Sequence, residues 1–322
     1  MVEERKPVES ARTILRRVLQ AHQLDRTVIV VDENLMDFAT PFLSAALTVT
    51  QMASVLELAT AESRAEQLVR LRSKLSRMDF TLFLSILRHR RGEARFRRSV
   101  VRLAERLGCR IGHIVGPQLR WLTTGPLSLT SDEYDQMEDA ALRLLDMLAK
   151  AKEVTIVSEE GTQLRLELVK GRYGTTDCMT FFGTSRVSLP IGEVWIAPKE
   201  GVAEGRIVTR RLLGRTEELP LTTIEVREGR AYRIECDDPG IRERLSEAMK
   251  KGVEYLGSLS IGINPRAQAG ALSGYEAAKA KGVVHIGFGR NVHLGGKIDA
   301  LRRLEFMVRK AEVRIDGTPL VV

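Results

Sequence analysis

The stretch ARTILRRVLQAHQLDRTVIVV, residues 11–31, joins a helical pattern to a strand pattern. Its first part places apolar side chains on one face of a helix (Ile14, Leu15, Val18 and Leu19). TVIVV is a short apolar run rich in β-branched residues, which is typical of a buried strand. A helix that leads into a buried strand predicts an α/β fold for the amino-terminal part of the chain.

The alternation continues along the first half of the sequence. Residues 62–76 and 97–107 have helical patterns, and each precedes an apolar strand pattern, FTLFLSI (80–86) and CRIGHIV (109–115). Repeated helix and strand predict a parallel sheet covered by helices. Thr130 and Glu133 then form a capping-box pattern at the start of a long helix. We expect that helix to close a first, α/β domain at residues 1–152.

The second half has a different pattern. EVTIV and LRLELV flank a turn that contains Gly161, and IEVREGRAYRIE turns at Glu228 and Gly229. Both segments predict β-hairpins. Asp238 and Pro239 follow and predict the start of a helix through about Lys251. Residues 153–322 are therefore predicted to form an α+β domain with antiparallel strands.

Bulk composition is that of an ordinary globular protein. The chain has 322 residues, 43% of them hydrophobic, and a net charge of +8. It contains no apolar run long enough for a membrane helix, and its charged amino terminus lacks the apolar core of a secretory signal. Cys109, Cys178 and Cys236 lie far apart and are expected to be reduced thiols. These features favour a cytoplasmic protein that does not insert into a membrane.

The densest basic segment runs from Arg88 to Arg110 and contains nine arginines. Four of them fall on one helical face (Arg95, Arg98, Arg102 and Arg106). A solvated helix face is the ordinary interpretation, and a surface for an acidic partner is the alternative. Nucleic acid is not expected as the partner, because Phe96 is the only aromatic residue there that could stack on a base.

Several stretches of the second half together resemble the aminopeptidase T family of metallopeptidases. They are LPIGEVWIAPKEG (189–201), LGSLSIGINPRA (256–267), VHIGFGRN (284–291), LGGKIDALRRLEF (294–306) and VRIDG (313–317). The short chain and the LGGK segment favour the branch that includes dihydroxypyridine ring-opening dioxygenases. The resemblance implies an α/β amino-terminal domain and a carboxyl-terminal domain that carries a metal site. In the peptidases two divalent metals are held by two glutamates, a histidine, a tyrosine and a terminal His-x-Asp, whereas the dioxygenases hold iron with a histidine and the His-x-Asp.

Carried over by position, this resemblance gives an incomplete ligand set. Glu193 and His285 stand at ligand positions, but Ser258 replaces the second glutamate. The terminal His-x-Asp falls on Arg303 and Glu305, and the tyrosine has no clear match. Arginine keeps its proton and has no lone pair to donate to a metal. We therefore expect Arg303 to replace the metal by pairing with Glu193 or Glu305.

A shifted metal site is the alternative. His293 lies eight residues after His285, beyond a turn, and could join it with Asp299 or Glu305 in a facial triad for Fe(II) or Zn(II). In that case the chain would be a mononuclear metal enzyme, either a hydrolase of the aminopeptidase type or a ring-opening dioxygenase.

The function that these residues favour is that of a catalytically inactive metallopeptidase-like protein. It would bind a peptide, such as a small precursor peptide, in the former active-site cleft formed by Glu193, Ser258, His285, Arg303 and Glu305, without a cofactor. An intact aminopeptidase is the least favoured hypothesis, because ligand positions are lost. The apolar ending TPLVV and the resemblance to dimeric enzymes also predict a homodimer.

Overall fold

The computed structural model describes residues 4–181, 185–215 and 217–321. Its α-helices are α1 (Pro7–Thr13), α2 (Met36–Val49), α3 (Arg64–Leu75), α4 (Ala94–Glu105), α5 (Ser131–Lys150), α6 (Pro239–Ala248) and α7 (Gly274–Lys279). Its strands are β1 (Arg26–Asp32), β2 (Met52–Leu58), β3 (Leu82–Leu87), β4 (Arg110–Val115), β5 (Glu153–Ser158), β6 (Gln163–Glu167), β7 (Thr175–Thr176), β8 (Arg186–Leu189), β9 (Glu193–Ile196), β10 (Glu204–Thr209), β11 (Arg211–Leu212), β12 (Thr222–Arg227), β13 (Arg230–Cys236), β14 (Leu256–Gly262), β15 (Val284–Gly289), β16 (Arg303–Val308), β17 (Ala311–Ile315) and β18 (Thr318–Pro319).

The chain divides into two compact units. The first contains residues 1–135 and 179–191, and the second contains residues 136–178 and 192–322. The sequence placed a single boundary at residue 152, whereas the chain here leaves the first unit within α5 and returns to it for β8. A later segment that adds a strand to an earlier sheet leaves no local signal in the sequence.

The first unit is built on a five-stranded parallel sheet with the order β2-β1-β3-β4-β8. This confirms the parallel sheet and its helices. The predicted first helix is present as α1 and a π-helical turn, Ile14–Val18. Helices α3 and α4 bury apolar side chains on one face of the sheet, including Leu71 and Val100. Three described elements of this unit were not predicted, α2, β2 and β8.

The second unit contains two antiparallel sheets, which agrees with an α+β domain. One has seven strands in the order β13-β12-β10-β6-β5-β17-β18, and the other has six in the order β11-β16-β15-β14-β9-β7. The predicted hairpins are β5-β6 and β12-β13. Glu228 and Gly229 both have positive φ, 49° and 67°, as the tight turn between β12 and β13 requires. Asp238 caps α6, its carboxylate accepting from the Ile241 N–H at 2.8 Å, and the helix ends at Ala248 rather than at Lys251.

The long helix α5 begins as its capping box predicts. The Glu133 carboxylate accepts from the Thr130 N–H at 2.7 Å, and the Thr130 hydroxyl accepts from the Glu133 N–H at 3.2 Å. The three cysteines are buried and form no disulfide. None of the described helices combines the length and the apolar character that a membrane crossing needs.

Strand alternation gives the six-stranded sheet two different faces. One face is apolar and buried, with side chains such as Ile261, Ile286 and Phe306. The other carries polar side chains from neighbouring strands, because the register aligns Trp195, Ser260 and His285 in one cross-strand row. We call this second surface the polar face. It also carries Glu193, Ser258, Gly287, Arg303 and Glu305.

Candidate functional site

The polar face brings the five predicted site residues onto four neighbouring strands. Glu193 opens β9, Ser258 lies on β14, His285 lies on β15, and Arg303 and Glu305 lie on β16. Successive strands in this sheet are paired, so adjacent side chains lie one strand spacing apart. Glu193, Ser258, His285 and Glu305 are buried, and the Arg303 side chain retains 26% of its exposure.

Gly287 lies at the centre of this face, directly against the side chains of its cross-strand neighbours. A Cβ at this position would lie 2.1 Å from the Ser258 hydroxyl oxygen and 3.5 Å from Cγ of Glu305. The space above Gly287 is therefore already filled by its cross-strand neighbours. Ser258 packs there as a small polar group, in the position where the resemblance implies a glutamate.

The cation beside Glu193 is Lys279, which the sequence analysis did not identify. Lys279 ends α7, and its ammonium donates to Glu193 Oε2 at 2.5 Å and to Asp177 Oδ2 at 2.7 Å. It also lies 5.0 Å from the centre of the Trp195 ring, within reach of a cation–π interaction. Of the two partners expected for Arg303, Glu193 is therefore taken by Lys279.

Asp177 fixes both the lysine and the start of β9. Its second carboxylate oxygen, Oδ1, accepts from the Gly192 N–H at 2.7 Å and from the Glu193 N–H at 2.9 Å. The same carboxylate thus anchors the backbone of Glu193 and holds the ammonium that contacts the Glu193 side chain. No local motif marks Asp177 or Lys279, since the contacts of Lys279 span 102 and 86 residues of chain.

Arg303 pairs with Glu305, which is the other partner that the sequence predicted for it. The two side chains lie on the same face of β16 and are in ion-pair contact. Arg303 Nη1 also lies 3.1 Å from Nε2 of His293, whose pKa is lowered by partial desolvation of the ring and by the charges of Arg303 and Arg290.

The alternative metal set is not brought together. His293 is exposed on the short 3₁₀ turn Val292–Leu294 and lies against Arg303, while Asp299 is exposed and paired with Arg290. Among the described residues, no group of three or more His, Cys, Asp or Glu side chains is placed to hold a metal ion.

Ionisation at the polar face follows from burial and from these ion pairs. Burial lowers the pKa of Lys279, but the charges and hydrogen bonds of Asp177 and Glu193 outweigh it, so the pKa lies above its usual value. The lysine therefore stays charged. Burial raises the pKa of Glu193, and the nearby charges of Lys279 and Arg303 offset only part of that rise.

His285 is neutral near physiological pH. Burial lowers its pKa to about 4, and the opposing charge of Glu305 restores only part of the loss. Its Nδ1 lies 3.7 Å from Glu193 Oε1, too far for a hydrogen bond. The backbone of Ala278 also raises the pKa, yet no contact of either ring nitrogen with a described residue has hydrogen-bond geometry.

Several buried polar atoms at this face lack a hydrogen bond to any described residue. They are Glu193 Oε1, Ser260 Oγ, Glu305 Oε1 and the two ring nitrogens of His285. Glu305 Oε1 does touch Arg303, but as an ion pair without hydrogen-bond geometry. Buried polar groups without partners are costly, so these atoms require water molecules or a polar ligand as partners.

These residues do not fit the divalent metal that the resemblance implies. Glu193, His285 and Glu305 have lone pairs to offer, but the Lys279 ammonium contacts one carboxylate and the Arg303 guanidinium contacts another. At about 4 Å and an effective dielectric of about 20, a divalent ion and one such charge repel each other by roughly 8 kcal/mol. The lysine and the arginine already supply the positive charge that a metal would bring.

No protein-family model and no curated protein matches this sequence. Two solved structures nevertheless match nearly the whole chain. AmpT from Thermus thermophilus superposes with a TM-score of 0.67 at 15% identity, covering 98% of this chain and 97% of that one. The chain shares the AmpT fold. A 2,5-dihydroxypyridine dioxygenase from Pseudomonas putida matches with a TM-score of 0.64 at 17% identity, covering 98% and 95%. Identities this low establish the fold and leave the activity open.

Proposed function

We propose that this chain is a metal-independent, peptide-binding protein built on the AmpT fold and inactive as a peptidase. The observation that carries the proposal is Lys279, whose ammonium contacts Glu193 and Asp177. A protonated lysine cannot act as a Lewis acid or activate water as a bound metal does. The polar face would then serve to bind rather than to cleave.

The free acceptors of the polar face favour a cationic donor as the ligand group. The charged side chains on and beside this face are three carboxylates (Asp177, Glu193 and Glu305) and two cations (Lys279 and Arg303). With His285 neutral and all three carboxylates ionised, this leaves an excess of one negative charge. An ammonium group carries one positive charge and three N–H donors, which suits unpaired carboxylate, hydroxyl and imidazole acceptors. The free amino terminus of a peptide is such a group.

Peptide binding can be tested by calorimetry with the tripeptide Ala-Leu-Ala and its N-acetylated form. We expect the free peptide to bind and acetylation to weaken binding by at least about tenfold, because the cap removes the charge and leaves buried acceptors unpaired. Glu193→Gln should weaken binding of the free peptide. Glu159→Gln is the matched control, since Glu159 is a surface carboxylate that is 77% exposed. Equal binding of both peptides, or binding unchanged by Glu193→Gln, would contradict the proposal.

A mononuclear iron or zinc enzyme is the second candidate, and the unpaired nitrogens of His285 and oxygen of Glu193 are what favour it. It requires Lys279 to leave Glu193 when the metal binds. Turnover of an amino-acid anilide on addition of zinc, cobalt or manganese, abolished by His285→Gln, would support this enzyme and refute the proposed one. Absence of turnover together with binding of Ala-Leu-Ala would support the binding protein.

A further inference from the structure

A shallow groove separates helices α3 and α4 on the outer side of the first unit. Its volume is about 290 Å³. Apolar side chains contribute its floor, among them Leu68, Val69 and Leu103, and arginines flank them, among them Arg102 and Arg106. The groove therefore combines an apolar strip with a concentrated positive charge.

The positive charge of this groove is not neutralised by the chain itself. Three arginines form a row along one face of α4 (Arg95, Arg98 and Arg102), and Arg106 continues the row at the residue that caps the helix. Arg72 faces them from α3. Within the described ranges, none of the five side chains forms an ion pair or a hydrogen bond. By contrast, Arg64 and Arg88 in the same unit both pair with Glu93 and lower its pKa to about 2, although burial opposes this. The row on α4 is thus a charged surface without its counter-charges.

The apolar strip is partly open to solvent. Val69 is 72% exposed, whereas Leu68 and Leu103 pack with part of their surface against the core beneath the sheet. An exposed apolar strip beside a row of like charges is the arrangement that receives an amphipathic helix. Helix α4 has 12 residues and is about 18 Å long, so a partner helix of three turns would span it.

We propose that the groove between α3 and α4 is a docking surface for an acidic amphipathic helix of another protein. Apolar side chains of that helix would cover Val69 and Leu103, and its carboxylates would pair with the arginine row. Nucleic acid fits less well, since the aromatic ring of α4, Phe96, is buried beneath Arg64 with the guanidinium 4.2 Å from its centre. The proposal concerns the first unit alone and does not depend on what the polar face binds.

The test is fluorescence anisotropy with a labelled helical peptide of about 14 residues, long enough to span the groove, with leucines on one face and glutamates elsewhere. The full-length protein should bind it at physiological salt. The double change Arg102→Glu and Arg106→Glu should weaken binding by at least about tenfold, because attraction becomes repulsion. Val69→Ser should weaken binding by a smaller but measurable factor. Arg242→Glu with Arg244→Glu, two exposed arginines of α6, is the matched control and should leave binding unchanged.

Four results would overturn the proposal. The first is no binding by the unaltered protein. The second is equal weakening by the α6 control, which would indicate attraction to net charge alone. The third is full binding by Val69→Ser, which would show that the peptide does not contact the apolar strip. The fourth is tighter binding of a single-stranded oligothymidine than of the peptide, lost with Arg102→Glu and Arg106→Glu, which would assign the surface to nucleic acid.

Discussion

Replacing Lys279 by methionine removes the cation on which the account of the polar face rests. The lysine side chain is 11% exposed, and its ammonium contacts both Asp177 and Glu193. Methionine keeps an unbranched stem of similar length and lacks the charge, so the change tests the ammonium rather than the packing. It leaves two carboxylates facing one another without a counter-ion.

The expected cost is large because the pair is buried. Removing one partner of a buried ion pair destabilises a protein by about 3–5 kcal/mol, since an uncompensated charge remains. Adding Glu193→Gln to Lys279→Met should recover a large part of that loss, because one of the two stranded charges disappears. Lys281→Met is the control, as Lys281 is exposed two residues further along the chain, and it should leave the free energy of unfolding nearly unchanged.

The loss should also depend on pH. The pKa of Glu193 is already raised by burial, and loss of Lys279 removes a charge that lowers it. A carboxyl whose pKa is raised in the folded state binds its proton more tightly there, so it favours the folded state at low pH and loses that effect as pH rises. Urea unfolding of Lys279→Met should therefore show a smaller deficit at acidic than at alkaline pH. A free energy of unfolding equal to that of the Lys281→Met control at every pH would refute the ion-pair account.

Three further predictions concern side chains of the polar face, and a fourth concerns the dimer expected from the sequence. Burial lowers the pKa of His285 from 6.5 to about 4, so the free energy of unfolding should fall by up to about 3 kcal/mol as pH falls from 6.5 to 4. His285→Gln should remove this pH dependence, as measured by urea unfolding across the same range. Gly287→Ala should destabilise the protein by about 1–3 kcal/mol in urea, because its Cβ would overlap Ser258, and a second change of Ser258→Gly should restore much of this. Arg303→Ala should lower the free energy of unfolding by roughly 1–2 kcal/mol, as measured by thermal unfolding. This is less than the loss expected for a fully buried ion pair, because Arg303 is partly exposed. Adding Glu305→Gln should recover part of the loss. Light scattering should give the mass of a dimer, and a monomer mass at micromolar concentration would contradict that prediction.

Local pattern was enough to predict the parallel sheet and the hairpins. The helix and strand within residues 11–31, and the turn at Glu228 and Gly229, follow from periodicity and turn chemistry, which act over a few residues. Helix α2 was not recognised because it is apolar on most faces and contains Pro41 in its interior. Strand β8 joins a sheet formed much earlier in the chain, and no local pattern indicates such a return.

The candidate site was likewise predicted only in part from the sequence. Glu193, His285 and Glu305 were identified from the resemblance to the aminopeptidase T family, and strand alternation places them on one face. Lys279 was missed because its role depends on contacts with residues that are far away in sequence. The sequence left Glu193 and Glu305 open as partners of Arg303, because the choice depends on tertiary packing; Arg303 pairs with Glu305, and Lys279 pairs with Glu193.

The metal content of the purified protein distinguishes a site filled by Lys279 from a metal site. The protein should be purified without chelator, exposed to iron or zinc, desalted and analysed by mass spectrometry, alongside Lys279→Met and Glu193→Gln. We predict that the unaltered protein retains only traces of metal, because the Lys279 ammonium holds the Glu193 carboxylate that an ion would need. Retention of one iron or zinc ion per chain by the unaltered protein, lost in Glu193→Gln, would contradict the account.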